Sequence, residues 1–129
     1  MGKSFRLVLR ACVALGVSAY VIAEDGEEQK PKHTIEQVME KALKGGGLNK
    51  KVADGKASNE EKLQLLDMYI SLLENKPPKG DNASWQKLAG ATALAAAKVA
   101  VGRPGAEAEL KKATNCKACH SEHKPAKKE

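Results

Sequence analysis

Regular patterning begins at Thr34. Ile35, Val38, Met39, Ala42 and Leu43 are apolar at three- and four-residue spacing, so they share one stripe of a helix. Thr34 and Gln37 have the capping-box spacing, in which each side chain satisfies the other residue's free backbone amide. Gly45, Gly46 and Gly47 end or break this helix, and Leu48 to Gly55 reads as a short connection pinned by Leu48 and Val52. A second helix starts at Ser58, with Glu61 completing another capping box. Leu63, Leu66, Ile70 and Leu73 are expected to mark its inner face, widened by Leu65, Tyr69 and Leu72. Asn75 and then Pro77-Pro78 stop it, because proline lacks the helix donor and restricts the residue before it. After a polar loop at 79–83, a third helix is predicted from about Ser84 to Val101, with Trp85, Leu88, Thr92, Ala95 and Val99 on one side. Its many alanines favour helix and let a neighbour or a flat cofactor approach closely. A fourth helix is expected from Pro104 or Gly105, with the stripe Ala106, Leu110, Ala113 continuing to Cys116, Lys117 and His120. No alternating strand pattern occurs. The expectation is an all-α fold, an up-down four-helix bundle closed by the helix that carries residues 116–120.

The first 33 residues have another character. Lys3, Arg6 and Arg10 precede an uncharged apolar run from Ala11 to Ala23, with Val21 and Ala23 placed as a signal peptidase requires. The run is short for a bilayer span, which takes about 20 apolar residues. Residues 1–23 are therefore expected to be an export leader, with a retained anchor as the alternative. Cys12 does not make a lipoprotein signal, since Arg10 lies two residues before it. Residues 24–32 read as a flexible lead-in and residues 33–129 as the folded domain. An exported, periplasmic chain with no membrane span after cleavage follows.

Cleavage would remove three of the 22 basic residues and none of the 16 acids, so the formal charge of +6 falls to +3. Arg103 is then the remaining arginine. Nucleic-acid readout leans on arginine, so nucleic acid is not an expected partner. Only 3% of the chain is aromatic. A core so poor in large side chains is weak for about 100 residues, and a bulky apolar cofactor would supply the missing volume.

Cys116-Lys117-Ala118-Cys119-His120 has the CxxCH spacing of covalent haem attachment. Three residues apart on a helix, the two thiols face the same way, and each can add to one haem vinyl group. His120 adjoins the second thiol, so the same tether aims its imidazole at the iron. A thioredoxin-like pair would need a βαβ context, and a zinc site would draw on separated ligand pairs rather than on Cys116, Cys119, His120 and His123 in two turns. A structural disulfide explains neither His120 nor the thin core. The second axial position must be filled from another element. Met39, in the middle of the first stripe, is the leading candidate, because a neutral thioether commonly partners histidine in cytochromes. An open position, His33 and Met68 are the alternatives. His123 is expected at the surface or at a haem edge, and Met68 in packing.

With these residues the chain resembles the cytochrome c-prime superfamily, four-helix bundles with a C-terminal CxxCH. The resemblance spans about Thr34 to Lys124 and is most specific at Cys116–His120. Val38-Met39 followed by Gly45-Gly46 is similar to the first helix of low-spin members, where a methionine ligates iron; high-spin members carry an apolar residue there and leave the iron five-coordinate. Ala83-Ser84-Trp85 resembles the aromatic start of the family's third helix. Thr34-Ile35 stands where the family often has an aromatic–arginine pair, and His123-Lys124 where it commonly has an aromatic and a basic residue. The resemblance implies one haem c, redox partner proteins and a possible homodimer. Together with the motif it points to a one-electron carrier rather than an enzyme, with a five-coordinate haem that binds nitric oxide or carbon monoxide as the second reading.

Overall fold

A computed structural model describes residues 30–127, and the expected leader, residues 1–23, lies outside them. The described part is all-α. Its helices are α1 (Ile35–Val38), α2 (Leu48–Ala53), α3 (Asn59–Glu74), α4 (Asn82–Ala100), α5 (Ala106–Ala113) and α6 (Cys116–His123). No helix among the described residues is long and apolar enough to cross a membrane.

Both capping boxes form. Thr34 Oγ1 accepts from the Gln37 amide at 3.2 Å, and Ser58 Oγ accepts from the Glu61 amide at 3.2 Å, each glutamine or glutamate side chain answering the cap's own amide. From Met39 to Leu43, α1 widens into a π-turn, and a short 3-10 turn follows over Lys44–Gly46. The glycines then reverse the chain. Gly45 and Gly46 adopt φ of +63° and +79°, which side chains resist. At Gly47 a Cβ would stand 2.8 Å from the Lys41 carbonyl oxygen. The segment after them, expected as a connection, is helical α2, and it buries Val52 and Ala53.

α3 and α4 pack along each other, α5 lies against α4 and α2, and α6 against the start of α4. The inner face of α3 differs from the expected one. Leu65, Met68, Tyr69 and Leu72 are buried, whereas Leu63 and Ile70 are exposed. α3 carries two apolar stripes, and α1 and α4 take the one that includes Tyr69. Met68 is core packing, as expected. On α4 the expected side is the buried one, with Trp85, Thr92, Ala95 and Val99 inside.

The expected fourth helix is two helices. Ala106 and Leu110 are fully buried on α5, but the stripe does not continue. Thr114 has ψ of 53°, its hydroxyl donates back to the Leu110 carbonyl at 2.8 Å, and Asn115 starts a new helix by accepting from the Ala118 amide at 3.1 Å. Threonine and asparagine favour such local side-chain bonds over the helix ladder. The break re-aims Cys116, Cys119 and His120.

Candidate haem-attachment site

A cavity of about 590 Å³ lies between α1, α3, α4 and α6. That is within the range of about 300–1,000 Å³ usual for cofactor pockets. Leu43, Leu72, Leu88 and Ala89 give it apolar walls, with Tyr69 and Trp85 as its aromatic ones. Cys116, Cys119 and His120 line it from α6, and Met39 lines it from the π-turn. Residues 77 to 81 positions apart in sequence thus share one cavity. The arrangement of Cys116, Cys119 and His120 is consistent with haem c attachment, and the apolar volume beside them fits a large flat cofactor. Glu40, Lys44 and Lys124 contribute its charged lining.

Each side chain is placed by identifiable local structure. The Asn115 cap orients the first turn of α6, putting Cys116 and Cys119 one turn apart on the same face. Both cysteines are free thiols; Cys116 is exposed and Cys119 half-buried. Burial, reinforced by the negative charges of Cys116 and Glu122, raises the Cys119 thiol pKa. Met39 sits where α1 passes from α to π, and the Lys44 amide donates to its carbonyl to close the wider turn. π-turns of this kind recur at functional sites.

His123 corrects the expectation of a surface or edge residue. It is 2% exposed. Its Nδ1 lies 2.8 Å from the Lys79 carbonyl and therefore carries a proton, since a carbonyl only accepts. Nε2 lies 3.2 Å from Ser84 Oγ, and the Ser84 hydroxyl donates to the Glu122 carboxylate. The ring meets Trp85 edge-on at 5.3 Å, while Trp85 Nε1 donates to the Asn75 carbonyl at 2.8 Å. Nδ1–H is thus committed to the Lys79 carbonyl, and Nε2 faces Ser84 Oγ. Among the described residues, no three of His, Cys, Asp and Glu converge on a common metal position. His33, an alternative ligand from the sequence, is half-buried with Nε2 3.3 Å from Asp67 Oδ2, outside the cavity lining. Met68 is outside the lining as well.

Sequence pattern did not reveal a polar chain behind the pocket. The Tyr69 hydroxyl donates to Asn49 Oδ1 at 2.7 Å, and Asn49 Nδ2 donates to Thr114 Oγ1 at 3.3 Å. Burial, with the nearby Cys116 charge adding to it, raises the Tyr69 pKa, so this hydroxyl stays protonated and donating. Thr92 shares its hydroxyl proton between the Leu88 and Ala113 carbonyls, tying α4 to the end of α5. These links hold the α5–α6 break in place beside the cavity. The one available signal was the presence of polar residues, Thr92 and Tyr69, within apolar stripes.

No protein family, no curated protein and no solved structure significantly matches this chain.

Proposed function

We propose that this chain is an exported c-type cytochrome that carries one electron at a time between redox proteins. The observation that carries the reading is the shared cavity: the CxxCH residues and Met39 line one apolar chamber from separate elements. In this reading Cys116 and Cys119 would hold one haem c through two thioethers, and His120 and Met39 would ligate its iron. Bound there, the haem supplies a reversible ferric/ferrous couple. The protein's part is to fix the ligands and exclude water. Leu72, Leu88 and Trp85 keep the chamber apolar, and the Met39 thioether, a neutral ligand, favours the ferrous state. The Tyr69–Asn49–Thr114 chain and the Asn115 cap limit rearrangement of the α6 side between redox states. We take α1, α3, α4 and the α5–α6 pair as the four arms of a c-prime-like bundle. Residues 1–23 are the leader that takes the chain to the periplasm, where thioether attachment occurs.

The test is spectroscopic. The full-length gene, expressed with haem maturation, should yield a c-type pyridine haemochrome and low-spin ferric and ferrous spectra. Met39→Ala should turn the iron high-spin and open it to carbon monoxide. A wild type that is already high-spin and binds carbon monoxide readily would replace the carrier with the gas-binding reading. Absence of a c-type haemochrome would remove both.

A further inference from the structure

His123 is a buried titratable side chain to which the proposed electron transfer gives no part. It lines the chamber from α6 and is 2% exposed. Its hydrogen bonds do not close while the ring is neutral. The Lys79 carbonyl holds a proton on Nδ1, so a neutral ring presents a bare lone pair at Nε2. That lone pair faces Ser84 Oγ at 3.2 Å, and Ser84 Oγ also bonds the Glu122 carboxylate. The Ser84 hydroxyl thus has one proton for two acceptors. Given to Glu122, it leaves Nε2 without a donor; given to Nε2, it sets the serine lone pairs against the carboxylate. A second proton on the ring removes the conflict. Nε2–H then donates to Ser84 Oγ, the Ser84 hydroxyl donates to Glu122, and Nδ1–H stays on the Lys79 carbonyl, so every donor has an acceptor.

Charged groups bear on the ring from each side. Glu122 Oε2 stands 3.7 Å from Nε2. On the loop before α4, Asp81 Oδ2 accepts from the Ser84 amide at 3.0 Å, a second carboxylate on the Ser84 side. Trp85 of α4 meets the ring edge-on and is uncharged. His120 and Lys124 line the same chamber, and the segment from α1 to the 3-10 turn adds Glu40 and Lys44, one of each sign. The two carboxylates near Ser84 favour an imidazolium, whereas burial and the Lys124 ammonium oppose it. A negative charge added within the chamber shifts that balance toward the imidazolium. Glu122 is more than half exposed, so the chain Glu122–Ser84–His123 runs from solvent to the chamber wall.

We propose that His123 is a proton-uptake site coupled to the electron, so that the protein takes up a proton when it is reduced and releases it when it is oxidised. The inference rests on the haem reading of the chamber. One electron from a donor protein, which is oxidised, takes the iron from ferric to ferrous, and the added negative charge favours the imidazolium. The proton comes from solvent through Glu122. The Ser84 O–H bond breaks as Nε2–H forms, and Ser84 regains a proton from the Glu122 carboxyl. Delivery of the electron to an acceptor protein reverses both transfers.

Potentiometry of the haem-loaded protein across pH tests it. The reduction potential should fall as pH rises through the interval between the ferric and ferrous titrations of His123, by no more than one proton per electron, and be level on either side. His123→Phe keeps a ring against Trp85 and should abolish the slope. Glu122→Gln, at an exposed position, should move the slope to lower pH, because the imidazolium loses its facing carboxylate. With isotope-labelled histidine in wild type, magnetic resonance of the ring nitrogens should show His123 keeping its second proton to higher pH in the ferrous than in the ferric protein. That measurement decides the matter even if His123→Phe does not fold. Equal titrations in the two states, a slope that survives in His123→Phe, or a slope unmoved in Glu122→Gln overturns the proposal. Absence of a c-type haemochrome removes the haem reading and this inference together, whereas a haem-loaded wild type with a level potential overturns this inference alone.

Discussion

His123 shows how a single side chain can fix the geometry of a site it does not serve as ligand. Its ring closes the C-terminal end of α6 onto the Lys79 carbonyl, Ser84 and Trp85. His123→Ala would leave the Lys79 carbonyl unsatisfied and a void against Trp85. It should lower stability by roughly 2–4 kcal/mol, read as a fall in the thermal midpoint. Gly80 faces the same ring. It has φ of +84°, and a Cβ there would stand 2.8 Å from the Glu122 carbonyl oxygen and 2.9 Å from His123 Nδ1. Gly80→Ala adds that crowding to the cost of a left-handed backbone, about 1–2 kcal/mol. Chemical denaturation should show a loss of at least that size, and a neutral result would mean that the 79–81 loop is not held against α6.

Among the elements, the interruption between α5 and α6 matters most. One continuous helix would carry the apolar stripe of α5 straight through residue 120. The turn at Thr114 instead lets α6 take its own direction, with Asn115 satisfying the Ala118 amide. Asn115→Ala removes that cap and should cost about 1 kcal/mol. The loss should be local. Amide hydrogens of residues 116–118 should exchange faster while those in α4 do not change, and uniform acceleration would count against a local role for the cap. Residues 114 and 115 are an ordinary helix break in sequence terms too, since threonine and asparagine compete with the ladder. The apolar pattern nevertheless runs across them at helical spacing, which is why a single helix is the natural reading of the stripe alone.

For the whole molecule, the ion pairs give a pH signature. Asp54 is held below its ordinary pKa by Lys50 and Lys111, Glu61 by Lys51 and the Ser58 amide, and Asp67 by Lys32 and then His33. A carboxylate with a lowered folded-state pKa binds fewer protons folded than unfolded. Its contribution is therefore complete above the unfolded value, near 4, and is lost as pH falls through the lowered folded value. Urea midpoints should fall on acidification in that window. The slope should shrink in the Asp54→Asn, Glu61→Gln, Asp67→Asn triple variant, and an unchanged slope would assign acid sensitivity to other groups. These pairs are solvent-exposed, so the effect should be modest and weaker in salt. The cavity gives a second prediction at this scale. Without a large apolar occupant, its walls lack partner atoms on one side. Cys116→Ala with Cys119→Ala should keep the far-ultraviolet circular dichroism of the helices, yet melt lower and bind more of the dye ANS than the haem-loaded protein. Equal melting of the two would mean that the chamber does not depend on an occupant.

Local signals determined much of this protein. Thr34–Gln37 and Ser58–Glu61 specify helix starts because a cap is chemistry among neighbours in sequence. Gly45 and Gly46 specify a reversal because side chains resist conformations at positive φ. Cys116, Cys119 and His120 were legible for the same reason, since their spacing is the chemistry. The shortage of aromatics implied missing volume, and a chamber of about 590 Å³ lies beside those residues. Tertiary packing decided the rest. α3 offers two apolar stripes of similar strength, and only the presence of α1 and α4 selects Leu65, Met68, Tyr69 and Leu72 for the interior. Periodicity shows that a stripe exists; burial depends on what arrives from elsewhere in the chain. His123 went inside because Lys79 and Ser84, about 40 residues earlier, offer its two nitrogens partners. Met39 came to the chamber of His120 because the helices between them fold back on one another, a long-range event that no local spacing encodes.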